Sequence, residues 1–495
     1  MSENKVSSMG IKNVVIDTLI YGVCQSLVRV LNFITFPLLA RHFSVSDYGK
    51  FDFAMVTVSL IVIACIFGQD AALARYFFDF KDKDDKKAVI SQSFIIQLIF
   101  MLICILALIF ATAPLASVGY LNYFSKIELL LLCLQIPFFL IINFAQNILK
   151  CSFEKSKFLF LSAGVVIAVM TLSIIGTVFY DFNLQTFFAG YLVINVIFAL
   201  LGLIFVRHWI TLKWSTIQIY PLLKFAIPFG VITVGTSLSP SLERILIMAQ
   251  NEWDMLGQFA IATKVALIIT ILLNAFQTAF RPFAYSILDR KDASALFSRI
   301  LRLFLLVFGI AVISLMAILP NIIFLLVEAR YFAAISLAPI IIMAFYIEGI
   351  TGITDINISI SKRTNLVIWP LLVYFFTFFC IFYFLGSYLG IMALLYGMLF
   401  GQLGKLFLMT YISHKVAFPR WSFKLIIAQL TYLMLVTLIY ISFIEEYMTT
   451  IQIMTFISAI LFILVWVIFF FTHDDKKVIK NQIIIIFKFL QTGRV

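Results

Sequence analysis

The 495-residue sequence is poor in charge, in cysteine and in histidine. Only 12% of its residues are Asp, Glu, Lys or Arg, against roughly a quarter in ordinary soluble domains. The six Cys are scattered through apolar segments, which argues against a disulfide framework, and the four His stand apart, which argues against a metal site. The stretch GQLGKL at 401–406 lacks the first Gly and the final Ser or Thr of a Walker motif. We therefore expect no metal, no cofactor and no direct use of ATP.

What the sequence does contain is an almost continuous apolar chain. Apolar residues make up 63% of it, and the mean hydropathy is +1.09. Such a chain cannot bury its surface in one soluble core, whereas in lipid a helix satisfies its own backbone hydrogen bonds. About fourteen apolar segments of ~20 residues lie between positions 14 and 472, each long enough to cross ~30 Å of hydrocarbon. The predicted fold class is all-α, a polytopic membrane protein with about 14 transmembrane helices.

The positive charges concentrate in alternate loops. Of the 36 Lys and Arg residues, 28 lie in the N-terminus, the even-numbered loops and the tail, and 5 lie in the odd-numbered loops, among them Lys50, Lys126 and Arg244. Because cytoplasmic loops retain positive charge, both termini are expected in the cytoplasm. The net charge of +12 therefore reflects the orientation of the chain in the membrane. We do not interpret it as a nucleic-acid-binding surface and expect no nucleic-acid partner. The outward loops are short and poor in paired carboxylates, so we expect no enzyme and no catalytic residue.

A weak internal echo predicts the domain organisation. GKFDFA at 49–54 and GQFAIA at 257–262 each open an apolar segment after an outward loop. The echo predicts two six-helix lobes related by a pseudo-twofold axis along the membrane normal, plus two C-terminal helices. The lobes are 1–212, with helices 1–6, and 213–415, with helices 7–12; residues 416–495 form helices 13–14 and a cytoplasmic tail. Coincidence within a chain of such biased composition is the alternative.

The first predicted span carries a polar face. Asp17, Tyr21, Gln25, Arg29 and Asn32 follow helical spacing and fall on one side of the helix at ~100° per residue. One interpretation is a buried network around an Arg29 ion pair. The other, which five polar groups favour, is the wall of a hydrated cavity. Gln25, Arg29 and Asn32 are therefore candidate substrate-binding residues.

Two further cations lie inside predicted spans. A charge near the bilayer centre costs ~2.5–3.5 kcal/mol on insertion scales, so such residues usually face a cavity or a partner. Lys264 lies about two turns into the eighth span, where snorkelling to the outer surface is the alternative. Lys405 follows Gly401 and Gly404 in the twelfth span, where the glycines alone would serve close helix packing. Cations that face a cavity indicate an anionic substrate such as a diphosphate.

Three carboxylates are candidates for ion coupling by H⁺ or Na⁺. Asp70 ends the second span and could instead form a structural pair with Arg29 or Arg75. Glu348 and Asp355 share one face of the tenth span. Asp355 lies near the cytoplasmic end and could simply be solvated, whereas Glu348 lies deeper and is the better candidate for a group that exchanges protons.

Three stretches carry a resemblance to a known family. They are FPLLARHFSVSDYGKFDFA at 36–54, GQDAALARYFFD at 68–79, and SLERILIM at 241–248 with LGQFAIATKV at 256–265. Together they resemble the bacterial polysaccharide flippases (Wzx-type) of the multidrug/oligosaccharidyl-lipid/polysaccharide exporter superfamily. A typical Asp of that pattern is Glu243 here.

The resemblance implies a two-lobe fold that rocks between inward and outward states. It also implies flipping of an undecaprenyl-diphosphate-linked oligosaccharide from the cytoplasmic to the periplasmic leaflet of the bacterial inner membrane, for O-antigen or capsule assembly. A polysaccharide polymerase and a chain-length regulator are the implied protein partners. Lipid II flippases share the Arg of RVLNF, here Arg29, but their following Arg-Asp pair is replaced by Thr35 and Phe36. A cation-coupled multidrug exporter of the same superfamily is the other alternative.

Overall fold

The computed structural model describes residues 28–471, except 29, 81, 118–122, 212–215, 251, 289, 291, 362 and 417–420. The regular elements in these ranges are helices, so the all-α prediction is confirmed. Thirteen of the described helical segments are long and apolar enough to cross a membrane. They match the second to the fourteenth predicted spans. Most of the first predicted span, 14–39, lies outside the described residues, and helical residues 30–42 cover its end.

Contacts divide the chain into two compact units, Met1–Lys264 and Val265–Val495. The division into lobes at 212 and 415 rests on the sequence echo and its symmetry axis, so it stays a prediction. The helices that begin in the first unit are α1 (30–42), α2 (Val45–Ile66), α3 (Gln69–Asp79), α4 (Lys83–Ser117), α5 (Lys126–Cys151), α6 (Lys155–Ile174), α7 (Leu184–Val206), α8 (Thr216–Met248) and α9 (Trp253–Ser286).

In the first unit, one span is interrupted where its backbone meets α8. Helices α2 and α3 are separated by Phe67 and Gly68, which both have positive φ, 40° and 73°. A Cβ on Gly68 would lie 2.6 Å from the backbone nitrogen of Gly230 in α8. Glycine is therefore required at position 68 for two reasons: its backbone is left-handed, and it lies against the backbone of α8. The result is that α8 packs against both α2 and α3.

The long helix α8 contains three prolines and remains helical through all of them. The sequence predicts a bent or broken seventh span at Pro228 and Pro240. Proline removes the N–H that would bond the carbonyl four residues earlier, so α8 lacks one such hydrogen bond at each of its three prolines while keeping its helical path. The Pro240 carbonyl accepts a hydrogen bond from the buried Arg244.

The second unit is built around α11. Of the residues in its most apolar stretch, 89% are buried, against 22% in the span of α13 and 28% in α16, whose apolar side chains are largely exposed. Helix α11 packs against α10, α14 and α15, so most of its residues lie inside the unit, while Glu348 is exposed. The helices of this unit are α10 (Ala293–Leu326), α11 (Ala334–Thr354), α12 (Ile356–Ile360), α13 (Ile368–Leu389), α14 (Ile391–Val416), α15 (Phe423–Phe443) and α16 (Met448–Phe469).

Candidate functional site

A buried ion cluster occupies the first unit. We call it the first charge cluster, and it consists of Asp52 on α2, Arg244 on α8 and Lys264 on α9. Arg244 Nε donates to Asp52 Oδ2 at 2.7 Å, and Lys264 Nζ lies 3.3 Å from Asp52 Oδ1. The Asp52 side chain is 4% exposed and that of Arg244 is 3% exposed. Two cations thus share one buried carboxylate.

Two glycines bring the helices of this cluster together. A Cβ on Gly49 of α2 would lie 2.7 Å from the nitrogen of Gly257 in α9, and a Cβ on Gly257 would collide with the Val45 carbonyl. The two backbones therefore touch at this crossing. Asp52 lies three residues after Gly49, and Lys264 lies seven after Gly257, so each shares its helix face with the contacting glycine. The echo of GKFDFA and GQFAIA thus marks a helix crossing.

Arg244 is held on several sides. Besides Asp52, its Nη1 donates to the Pro240 carbonyl at 2.9 Å, and its guanidinium lies 5.3 Å from the Phe259 ring centroid. Glu243 Oε2 is 4.0 Å from the same Nη1. The sequence predicts that Arg244 lies in an outward loop, and this prediction is wrong, because the residue lies inside α8 and is buried. A buried arginine destabilises the fold unless its charge is paired, as Asp52 pairs it here.

Lys264 is the accessible cation of the first charge cluster. Its side chain is 34% exposed, about ten times the exposed fraction of Arg244. Snorkelling and a cavity position were the two interpretations of this residue; the structure adds an ion pair with Asp52. Because Arg244 also neutralises Asp52, the lysine can turn toward another anion without leaving a buried carboxylate unpaired.

The second unit contains four charged residues, which we call the second charge cluster: Arg281, Glu348, Asp355 and Lys405. Lys405 Nζ donates to both oxygens of Glu348, at 2.8 and 2.7 Å. Here the lysine side chain is 10% exposed and the carboxylate 47% exposed. The tenth and twelfth predicted spans are thus joined by an ion pair between two residues that were identified separately from the sequence.

Asp355 belongs to a neighbouring pair in this cluster. Arg281 Nη2 donates to its two carboxylate oxygens at 3.4 and 3.1 Å. Asp355 follows Glu348 by seven residues and ends α11, so the two carboxylates lie on the same face of that helix. The expectation of a simply solvated Asp355 is therefore too simple, because its side chain is 23% exposed and ion-paired.

The glycines of α14 explain how Lys405 reaches its place. A Cβ on Gly401 would lie 3.0 Å from the Tyr374 carbonyl of α13, and one on Gly397 would lie 3.1 Å from the Phe378 carbonyl. These small residues let α13 and α14 pack closely. Lys405 lies one turn after Gly401, about 40° around the helix, and its ammonium reaches Glu348 of α11.

The remaining candidate residues have different environments. Asn32 is exposed on α1, and Asp70 is exposed at the start of α3. Asp70 Oδ1 accepts the Ala71 N–H at 2.9 Å, and Asn147 donates to the Asp70 carbonyl at 3.2 Å. Arg75, a suggested partner of Asp70, lies 4.0 Å from Asp79. Gln25 and Arg29 lie outside the described residues.

Sequence reasoning missed three residues of these clusters: Asp52, Arg244 and Arg281. A charged residue within the first turns of an apolar segment was a usable signal for Asp52. Arg281 falls one residue beyond the predicted end of the eighth span and was therefore treated as a loop cation. Helix α9 continues to Ser286, which places Arg281 inside it. Errors of a few residues in span boundaries thus hid Arg244 and Arg281, one residue of each cluster.

The chemistry available at these clusters is that of exchangeable ion pairs. In the ranges that the structure describes, no three His, Cys, Asp or Glu side chains are grouped to hold a metal ion. Lysine ammonium groups and carboxylates in a medium of low dielectric constant bind each other strongly, and each can instead bind a charged ligand. Such pairs fit the binding and release of an anion better than covalent catalysis.

Comparison with known proteins adds a family and a fold. The family described as "Polysaccharide biosynthesis protein" matches residues 14–287, a range that includes the whole first charge cluster. An "Uncharacterized membrane protein" of Haemophilus influenzae is 23% identical over 274 residues, which are 54% of this chain and 64% of that protein. The chain thus spans less than two thirds of that relative's own length.

Two solved structures share the fold. A lipid II flippase, MurJ, in an inward closed conformation superposes with a TM-score of 0.67 at 14% identity, covering 90% of this chain and 98% of MurJ. A multidrug resistance MATE family transporter of the MOP superfamily, in an inward-facing conformation, superposes with a TM-score of 0.61 at 14% identity. The match covers 79% of this chain and 97% of the transporter. The superfamily fold expected from the sequence resemblance is confirmed.

Proposed function

Because the chain belongs to the polysaccharide biosynthesis protein family, we propose that it flips a lipid-linked oligosaccharide across the membrane. The substrate is an undecaprenyl-diphosphate-linked repeat unit, moved from the cytoplasmic to the periplasmic leaflet of the bacterial inner membrane for O-antigen or capsule assembly. Both termini are cytoplasmic in this proposal, and a polymerase and a chain-length regulator receive the product. The observation that carries it is Lys264, a partly exposed cation within a span, held by a buried carboxylate.

The first charge cluster supports the diphosphate contact. Lys264 supplies three N–H donors on a flexible stem. A diphosphate that reaches it would compete with Asp52 for the ammonium, while Arg244 at 2.7 Å keeps Asp52 neutralised. Release is the reverse step, in which Asp52 recaptures the lysine. Arg29, Gln25 and Asn32 are proposed to extend this polar path.

The second charge cluster supports ion coupling. Glu348 is more exposed than its partner Lys405, so the Glu348 carboxylate is accessible to a proton or to Na⁺. Neutralising Glu348 would release the Lys405 ammonium for an anionic ligand, which links uptake of the cation to binding of the anion. Asp355 with Arg281 offers a second site of the same kind, and Asp70 is a third candidate at the start of α3.

The test is deletion of the gene in its host, followed by complementation. We expect loss of surface polysaccharide and accumulation of the complete lipid-linked oligosaccharide on the cytoplasmic leaflet. Intact polysaccharide with altered tolerance to cationic drugs would instead establish a multidrug exporter. Arrest of peptidoglycan synthesis with accumulated lipid II would establish a lipid II flippase.

Complementation with Lys264 variants tests the residue. Lys264→Arg keeps a cation and should restore polysaccharide, whereas Lys264→Ala should lower it about tenfold, the value of one lost charge-assisted contact. Lys126→Ala, which removes an exposed lysine at the start of α5, is the matched control and should behave as wild type. Equal activity of Lys264→Ala and the control would overturn the diphosphate role.

A further inference from the structure

A cavity in the second unit lies apart from the residues used above. It has a volume of about 290 Å³ and opens where the first turns of α10 and α15 meet the end of α16. At roughly 30 Å³ per water it has room for roughly ten water molecules, about the size of a glycerol phosphate group. The residues that line it are Ser298, Leu301, Arg302, Trp421, Ser422, Lys424, Leu425, Phe469 and Phe470.

The polar part of the lining is made of donors and cations. Arg302 and Lys424 supply positive charge, and Ser298 and Ser422 supply hydroxyl groups. None of the nine described lining residues is acidic. Arginine, lysine and serine together are the residue types that bind phosphate oxygens. This side-chain set therefore fits an anion that carries a phosphate.

The start of α15 adds to the positive field. Ser422 is the N-cap of this 21-residue helix, and its hydroxyl accepts the Leu425 N–H. The N-terminal end of a helix carries a partial positive charge and favours anions within its first turn. Ser422, Lys424 and Leu425 all lie in that turn and line the cavity.

An unsatisfied buried donor is the second, independent observation. Trp421 is 3% exposed, lines the cavity, and its indole Nε1 has no hydrogen-bond acceptor among the described groups. Its backbone N–H donates to His414 Nε2 at 2.7 Å, and its ring packs edge-on against Phe297, which together fix the side chain. A buried N–H without an acceptor costs free energy unless a ligand supplies one.

The apolar part of the lining shows what the rest of the ligand must be. Leu301, Leu425 and Phe470 form its walls, and Phe469 is 75% exposed on α16. Ile468 beside it is 61% exposed, so the cavity opens onto an apolar surface that faces lipid. A free phosphate ion would leave these walls uncovered, whereas a lipid would place acyl chains against them. On the predicted topology, this end of the helices faces the cytoplasmic leaflet.

We propose that this cavity binds the headgroup of an anionic glycerophospholipid of the cytoplasmic leaflet. The phosphate lies between Arg302, Lys424 and the start of α15, and Trp421 donates its indole N–H to a phosphate or glycerol oxygen. The acyl chains follow Phe469 along α16. Basic pockets between transmembrane helices are known to suit anionic headgroups. The bound lipid would tie α10, α15 and α16 together at this end.

The test is native mass spectrometry of the purified, delipidated full-length protein titrated with defined lipids. We expect one tightly retained phosphatidylglycerol and much weaker retention of phosphatidylcholine. The variant Arg302→Gln/Lys424→Gln should retain phosphatidylglycerol at least about tenfold less, the loss of one or more charge-assisted contacts. The control variant is Arg363→Gln/Lys415→Gln, which has the same net charge as Arg302→Gln/Lys424→Gln. It loses two exposed cations on the membrane side where the cavity is predicted to lie, and it should bind phosphatidylglycerol as wild type does.

Three results would overturn the proposal: equal loss in the control variant, equal retention of phosphatidylcholine, or tighter retention of a polyprenyl phosphate than of phosphatidylglycerol. The last result would reassign the cavity to a carrier lipid. Trp421→Phe keeps a ring and removes the donor, so retention should fall several-fold while the preference for anionic lipid persists. Unchanged size-exclusion profiles of all variants exclude misfolding as the cause.

Discussion

The two charge clusters have opposite patterns of exposure. In the first, the carboxylate of Asp52 is 4% exposed and Lys264 is 34% exposed. In the second, Lys405 is 10% exposed and the carboxylate of Glu348 is 47% exposed. The first cluster therefore presents a cation and the second presents an acid. Under the proposed function, this difference corresponds to a division of labour, in which one unit contacts the anionic substrate and the other responds to H⁺ or Na⁺.

The largest expected effect comes from removing the buried anion of the first cluster. Asp52→Asn leaves Arg244 buried without its partner, which should lower the free energy of unfolding by about 3–5 kcal/mol. Thermal unfolding of the purified protein measures it. Asp52→Asn/Arg244→Gln should recover part of the loss, and Asp254→Asn, at an exposed acid of α9, is the control. Similar melting temperatures for Asp52→Asn and the control would show that the cluster is not held together as described.

The crossing of α2 and α9 offers the next largest effect. Gly49→Ala places a methyl group 2.7 Å from the Gly257 nitrogen, so the helices must separate, at a cost of about 1–3 kcal/mol. Gly386→Ala is a matched control, because the nearest atom to its new Cβ is 3.8 Å away. Melting temperatures of both variants check the prediction. A Gly49→Ala protein as stable as Gly386→Ala would contradict a backbone contact at the crossing.

Glu348→Gln tests the coupling assigned to the second cluster. Glutamine cannot gain or lose a proton, so Lys405 loses its charged partner at every pH. We expect substrate flipping by the reconstituted variant to lose most of its stimulation by a proton or sodium gradient. Glu446→Gln, at an exposed acid after α15, should keep the full stimulation. A Glu348→Gln protein that still responds to the gradient would place coupling elsewhere.

The smallest expected effect concerns Glu154, between α5 and α6 and outside the spans. Burial would raise the pKa of Glu154, but hydrogen bonds from Lys157, Trp209 and Ser152 outweigh it and hold the pKa below the ordinary value of 4.5. A lowered folded-state pKa stabilises the protein above about pH 4.5, and this contribution is lost as the pH falls further.

Because Glu154 is partly exposed, its contribution should stay below about 1 kcal/mol. Thermal unfolding measured from pH 7 to pH 3.5 checks the prediction. Wild type should lose slightly more stability over this range than Glu154→Gln, with Glu446→Gln as the control. Parallel curves for wild type and Glu154→Gln would show that these hydrogen bonds do not shift the titration of Glu154.

The spans could be predicted from sequence because length and hydropathy alone determine which segments cross a membrane. Lys264, Glu348, Asp355 and Lys405 were visible for the same reason, since each charge stands in an apolar run. Their partners were not, because pairing depends on which helix faces meet. The packing at glycines such as Gly49 determines which faces meet. In the sequence, this contact is visible only as the similarity between GKFDFA at 49–54 and GQFAIA at 257–262.

The most direct test of the division of labour is a flipping assay in proteoliposomes with two labelled polyprenyl lipids. One carries its sugar through a diphosphate and the other through an uncharged linkage. Wild type and Lys126→Ala should accelerate flipping of the diphosphate lipid only, and Lys264→Ala should lose that acceleration. Equal flipping of the uncharged lipid, or full activity of Lys264→Ala, would contradict the claim that the first charge cluster binds the diphosphate.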